Sequence, residues 1–138
     1  MQLNELLNKY LNYVCDKCLQ SLDKCNCKYN SELLIHIDRN IQDQIRQLNL
    51  KGYRTLYCCE SHYGEVSDLY ITFVDNCFDE NTVIPDGFKY SQRQRTLRHT
   101  FSKKLTQQQF ETEKQKHLDI LINWIESLPN YQRTKLRG

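Results

Sequence analysis

YRTLYCCESHYGEVSDLYITFV, residues 53–74, sets two runs of aromatic and β-branched residues around a polar centre that contains Gly64. YRTLYC and DLYITFV (68–74) read as strands, and ESHYGEVS between them has the length of a hairpin connection. The flanking segments carry the other periodicity. Upstream, Ile37, Ile41, Ile45 and Leu48 recur at helical spacing, and Gly52 is placed as their C-terminal cap. Asp38 is placed to cap the start, which leaves ELLIHI (32–37) open between early helix and short strand. Downstream comes a long loop, DNCFDENTVIPDGF, with a turn signal at Pro85-Asp86-Gly87. TLRHTF (96–101) then alternates like a third strand. Thr106 and Gln109 have capping-box spacing. Phe110, His117, Leu118, Leu121, Ile122, Ile125 and Leu128 mark one face of a long helix that stops before Pro129. Trp124 reads as core packing. The expectation is an α+β fold, a small antiparallel sheet of about three strands packed with helices. It is expected to form one domain over residues 1–138, with a helix and cysteine knuckle in 1–30 and the α+β body in 31–138.

The N-terminal part needs a different organiser. Leu3, Leu6, Leu7, Tyr10, Leu11 and Val14 predict an amphipathic helix over 2–14, which runs into CDKCLQSLDKCNC, a segment with no apolar periodicity. Four of the chain's seven cysteines fall there, as Cys15-x2-Cys18 and Cys25-x-Cys27. The chain start lacks the basic residues and apolar core of a signal peptide, and no apolar run approaches the ~18 residues of a membrane span. The expected location is therefore the cytoplasm, with no membrane association. In a reducing compartment clustered thiols bind metal or react more often than they pair, and an odd cysteine count argues against complete pairing. Four thiolates satisfy tetrahedral Zn²⁺ and would fold a segment that has no core of its own. The predicted metal ligands are Cys15, Cys18, Cys25 and Cys27, with zinc as the cofactor. A CxC half is less usual than a second CxxC, so Cys58, Cys59 or His62 stays open as a replacement fourth ligand. An iron–sulfur cluster is the less favoured occupant of so tight a knuckle.

Charge is unevenly spread. Residues 1–88 carry eight Lys/Arg against thirteen Asp/Glu, whereas residues 89–138 carry eleven against four. The segment YSQRQRTLRHTFSKK holds Arg93, Arg95, Arg98, Lys103 and Lys104 without an acid among them. On a strand, these arginines could line up for phosphates, with Tyr90, Phe101 and Tyr131 offering stacking faces. The bland reading is a solvated edge strand whose charges deter aggregation.

In CCESH, strand alternation sends one of Cys58 and Cys59 to the core and the other to the surface, where Glu60, Ser61 and His62 should also lie. Cys58, Cys59, Glu60 and His62 are the candidate ligand site; a thiol beside an imidazole can act as a nucleophile or hold a metal. Packing of a small apolar thiol above a polar turn is the plain alternative.

The run from Ile41 through LNLKGYRTLYCCESHYGEVSDLYITF resembles small proteins of phages and prophages of Gram-positive bacteria, with their pattern GYxT, CCxGH, YIxF. IPDGF, TLRHTF and WIESLP match the later elements of that pattern. The resemblance implies a mobile-element origin, and Ser61 stands where the pattern carries glycine. More distantly, Asp38, Asn49, Thr55, Cys58, Cys59 and His62 are similar in placement to residues of the wybutosine-synthesising tRNA methyltransferase-like family, though that family's turn arginine is absent.

The expected function is a zinc-stabilised, non-enzymatic binding protein engaging nucleic acid or a host nucleoprotein complex, with an anti-defence (anti-CRISPR-like) role implied by the phage resemblance. The alternative is an enzyme or nucleotide-binding protein built on the CCESH turn. The absence of GxGxxG and GxxxxGK[ST] weighs against phosphate-loop chemistry. Homo-oligomerisation through the first helix is a further expectation.

Overall fold

The computed structural model describes residues 13–15, 19–20 and 34–131. Two units make up the chain, Met1–Arg46 and Gln47–Gly138. Cys18, Cys25 and Cys27, most of the expected first helix, and the C-terminal Arg133, Lys135 and Arg137 lie outside the described residues.

In the first unit, β1 (Tyr13–Cys15) pairs antiparallel with β2 (Leu34–His36), Val14 opposite Ile35. This corrects the sequence expectation that the first helix extends through Val14. An aromatic and a β-branched residue suit a pleated strand once a partner is present, and that partner lies some twenty residues away, beyond the reach of local periodicity. It also resolves the ambiguity at 32–37 in favour of a strand. After Cys15 the chain turns back: Leu19, at φ 58°, donates its N–H to the Cys15 carbonyl at 2.8 Å, and the Cys15 N–H reaches the Gln20 carbonyl at 3.0 Å. A 3-10 turn, Arg39–Ile41, then leads into helix α1 (Gln42–Leu50). Asp38 stands at the N-cap position of that turn but makes no side-chain capping bond.

The end of α1 is the one its sequence called for. Gly52 adopts φ 97°, and the chain closes with Gly52 N–H on Asn49 O at 3.0 Å and Tyr53 N–H on Leu48 O at 2.9 Å. This is the paired pattern that satisfies the last helical carbonyls when a residue can enter the left-handed region. Asn49 then ties the helix end to the next strand, accepting from Thr55 N–H (3.1 Å) and donating to Thr55 Oγ1 (2.9 Å).

The second unit is built on a four-stranded antiparallel sheet with order β3-β4-β6-β5. Its strands are β3 (Thr55–Cys59), β4 (Asp68–Phe73), β5 (Lys89–Ser91) and β6 (Thr96–Thr100). The α+β class holds, with one strand more than the sequence announced. β5 is only three residues long and is recruited by pairing Tyr90 with Leu97. β4 alternates cleanly, burying Leu69, Ile71 and Phe73. β3 does not: a register shift between Thr55 and Tyr57 leaves Leu56 and Tyr57 both exposed, as an extra residue in one strand of a pair requires.

Helix α2 (Gln107–Ser127) starts at a capping box in which Thr106 Oγ1 accepts from Gln109 N–H and the Gln109 side chain accepts from Thr106 N–H. It buries Phe110, Lys114, His117, Leu118, Leu121, Trp124 and Ile125. Trp124 lies in the core, its indole N–H on the Val83 carbonyl at 2.7 Å and its ring 5.3 Å from Phe78. At the other end, the Lys51 ammonium reaches three terminal carbonyls, Ile125 (2.7 Å), Glu126 (3.1 Å) and Leu128 (2.8 Å). A cation there meets both unsatisfied acceptors and the negative end of the helix dipole.

Candidate functional site

The CCESH turn closes the β3–β4 hairpin. Cys58 is half-buried opposite Ile71, and Cys59 is buried opposite Tyr70, so the two thiols divide between faces as alternation demands. Glu60 and Ser61 depart from the sequence reading, which put both at the surface. They are buried, Ser61 completely. The cause is Lys114, which the sequence reading passed over. Its ammonium lies 3.3 Å from Glu60 Oε2 and 2.9 Å from the Ser61 carbonyl oxygen, with the centroid of the Phe110 ring 5.7 Å away. A charged residue one helical turn beyond Phe110, on the face that is apolar elsewhere, is the signal that could have revealed a buried partner.

Ser61 adopts φ 74°, the left-handed region that favours glycine. Its N–H points to Cys59 Sγ at 3.4 Å, and its hydroxyl donates to the Val66 carbonyl at 2.6 Å. His62 and Val66 form an isolated bridge with bonds of 2.9 and 3.0 Å, and Gly64 turns the tip at φ 77°. The tip is therefore a braced loop. Cys59 Sγ and a ring nitrogen of His62 lie within 4.8 Å of each other, so this unit brings together two atoms of the kind that ligate transition metals.

Beside the turn is a cleft of about 360 Å³, walled by residues 61–67, by Phe101, Ser102 and Lys103, and by Phe110. Its aromatic floor is continuous: Tyr63 stacks on Phe110 with centroids 5.6 Å apart, and Phe110 meets Phe101 edge-on at 5.2 Å. Tyr63 keeps about half of its surface open to solvent. Lys103 and Glu65, both exposed, bring one charge of each sign to the walls.

Arg93, Arg95 and Arg98 do not form the expected row. Arg93 is exposed in the turn between β5 and β6. Arg95, at φ 53°, folds back so that its Nε donates to the Phe73 carbonyl at 3.1 Å. Arg98, on β6, pairs with Asp68 at 3.3 Å and also donates to Gln94. The hairpin turn interrupts the alternation that a single continuous strand would have given. Lys103 and Lys104 remain exposed, and only Lys103 joins the cleft.

Of the predicted zinc ligands, Cys15 is a buried thiol on β1 and is not disulfide-bonded; the other three lie outside the described residues. Cys58, Cys59 and Cys77 are likewise thiols. Among the described residues no helix is long and apolar enough to cross a membrane. No family model, curated protein or solved structure matches this chain.

Proposed function

We propose that this protein is a non-enzymatic binding protein whose cleft beside the CCESH turn takes a nucleotide unit of single-stranded nucleic acid. The observation that carries the reading is the combination of walls. An open aromatic face, Tyr63 backed by Phe110, stands with Lys103 and Glu65 in one cleft of about 360 Å³. A base has a π-face for Tyr63, its phosphate has a charge for Lys103, and an exocyclic amino group has an acceptor in Glu65. A simple anion would use only one of these walls. Stacking of this kind is worth about 1–3 kcal/mol per base. Phage origin, implied by the sequence resemblance, makes a host nucleoprotein the natural source of such a strand and inhibition of host defence the natural outcome.

Zinc belongs to the same proposal as a structural ion held by Cys15, Cys18, Cys25 and Cys27. The thiol state and burial of Cys15 support it, and elemental analysis of purified protein at about one equivalent per chain would bear it out.

Fluorescence anisotropy with a labelled mixed-sequence oligonucleotide, single-stranded and duplex, tests the binding. Tyr63→Ala should weaken single-strand binding by about 5- to 150-fold, the equivalent of one stacking contact. Lys103→Glu should flatten the salt dependence by about one phosphate contact. Failure of the native protein to bind the single strand, or indifference of its affinity to both substitutions, would overturn the reading.

A second reading rests on the approach of Cys59 Sγ to His62. A thiol beside an imidazole supports covalent or metal chemistry at the turn. Its mark would be a Cys59 alkylation rate that falls at least tenfold in His62→Ala; an unchanged rate removes it.

A further inference from the structure

His99 on β6 and His117 on α2, eighteen residues apart in sequence, stack with ring centroids 3.6 Å apart and planes 17° from parallel. His99 Nδ1 meets the Gly87 carbonyl at 2.7 Å, and His117 Nδ1 meets the Glu113 carbonyl at 2.8 Å. A carbonyl only accepts, so each Nδ1 carries the proton and each neutral ring leaves Nε2 bare. The Gly87 turn lies over the stack. A methyl group added to Gly87 would come within 3.0 Å of His117 Nε2 and 3.2 Å of the adjacent ring carbon. Gly87 adopts φ 83°, so both its conformation and its lack of a side chain are required there. Phe88 and Phe101 close the sides, with centroids 6.1 and 5.6 Å from His117.

A second proton on either ring would sit on Nε2, which for His117 lies beneath the Gly87 turn. The cation would also lie face to face with another imidazole inside an aromatic box. The charged groups that face the pair are few. Glu113, on α2, has Oε2 3.8 Å from His117 Nδ1, and Asp68, on β4, acts on His99 from further off. Asp86 in the covering turn is exposed. Burial is the main cause that holds His99 below the usual histidine value. His117 adds to the lowering, while the Gly87 carbonyl, Glu113 and Asp68 oppose it.

We propose that the His99–His117 stack is an acid-released latch that holds the Pro85–Phe88 turn down on α2, and that one added proton at Nε2 unseats that turn. Phe101 is packed against both rings and is also a wall of the cleft, so the latch stands directly behind it. The device depends on geometry alone and stands whether or not the cleft binds nucleic acid.

The test is the amide protection of Phe88, whose N–H bonds to the Pro85 carbonyl at 3.0 Å, followed by NMR hydrogen exchange on the ligand-free chain. After correction for intrinsic exchange, protection should fall at least tenfold between pH 7.5 and pH 5.5. His117→Phe keeps an aromatic ring in the stack but breaks the imidazole pair, so the drop should shrink below twofold. His99→Phe serves the same purpose if the first variant does not fold. Glu113→Gln removes the nearest carboxylate and should leave the drop in place. Constant native protection across this range, a drop that survives both phenylalanine variants, or its loss in Glu113→Gln would each overturn the latch.

Discussion

Lys114→Met removes the cation that makes a buried Glu60 tolerable. The lysine side chain retains 11% of its surface and the glutamate 7%, with 3.3 Å between Nζ and Oε2. Methionine fills nearly the same space, so cavity formation contributes little and the electrostatic loss dominates. Breaking a buried pair by deleting one partner costs about 3–5 kcal/mol, because the remaining charge keeps its desolvation penalty. The Ser61 carbonyl, 2.9 Å from the ammonium, loses a donor in the same step. Against a typical domain stability of roughly 5–15 kcal/mol, this is a large share. In urea, with an m-value of about 1.5 kcal/mol/M, the midpoint should drop by about 2–3 M. Replacing the pair together, Glu60→Leu with Lys114→Met, removes the uncompensated charge and leaves the Ser61 carbonyl short of a donor, at about 1–3 kcal/mol. The double variant should therefore be more stable than Lys114→Met alone. A single variant within about 0.5 kcal/mol of native, below the cost of even one orphaned buried group, would refute the reasoning.

Other outcomes follow from the same contacts. Lys51→Met deprives the last turn of α2 of three charge-assisted bonds and should cost about 1.5–3 kcal/mol, read by denaturation and by faster amide exchange near Ile125 and Leu128. Ser61→Gly relieves a left-handed backbone but forfeits the 2.6 Å bond to Val66, so its stability should stay within about 1 kcal/mol of native. Ser61→Val, β-branched and larger in a fully buried place, should lose more than about 2 kcal/mol. Because burial lowers the folded-state value of His99 below the usual histidine value of 6.5, the unfolded chain takes up the proton first. Stability is then complete above pH 6.5 and declines as pH falls toward the folded-state value; His99→Phe should flatten that slope in thermal melts from pH 7.5 to 5. Tyr90 is held by burial, and next by Cys77, at a pKa raised to about 12, so an ultraviolet titration should show a tyrosine ionising well above the usual value of 10.0, and Tyr90→Phe should remove that step.

Local features of the sequence determined much of the architecture. The alternation of Leu69, Ile71 and Phe73, the Gly52 cap and the Thr106–Gln109 box are each written within a few residues, because strand period, left-handed backbone and capping depend on neighbours in sequence. The division of Cys58 from Cys59 follows from the same alternation. What the tertiary structure decided depends on segments that meet only after folding. β1 became a strand because LIH supplied a partner, and β5 joined the sheet because Leu97 stood opposite Tyr90. Glu60 went inside because Lys114 arrived from a helix far along the chain, and two histidines eighteen residues apart became one stack. The basic segment shows the limit most plainly: composition announced a run of positive charge, but a hairpin turn and the positions of Asp68 and the Phe73 carbonyl settled where Arg95 and Arg98 are engaged. Burial and charge pairing are long-range energies, and the order of residues encodes them only through the fold they jointly produce.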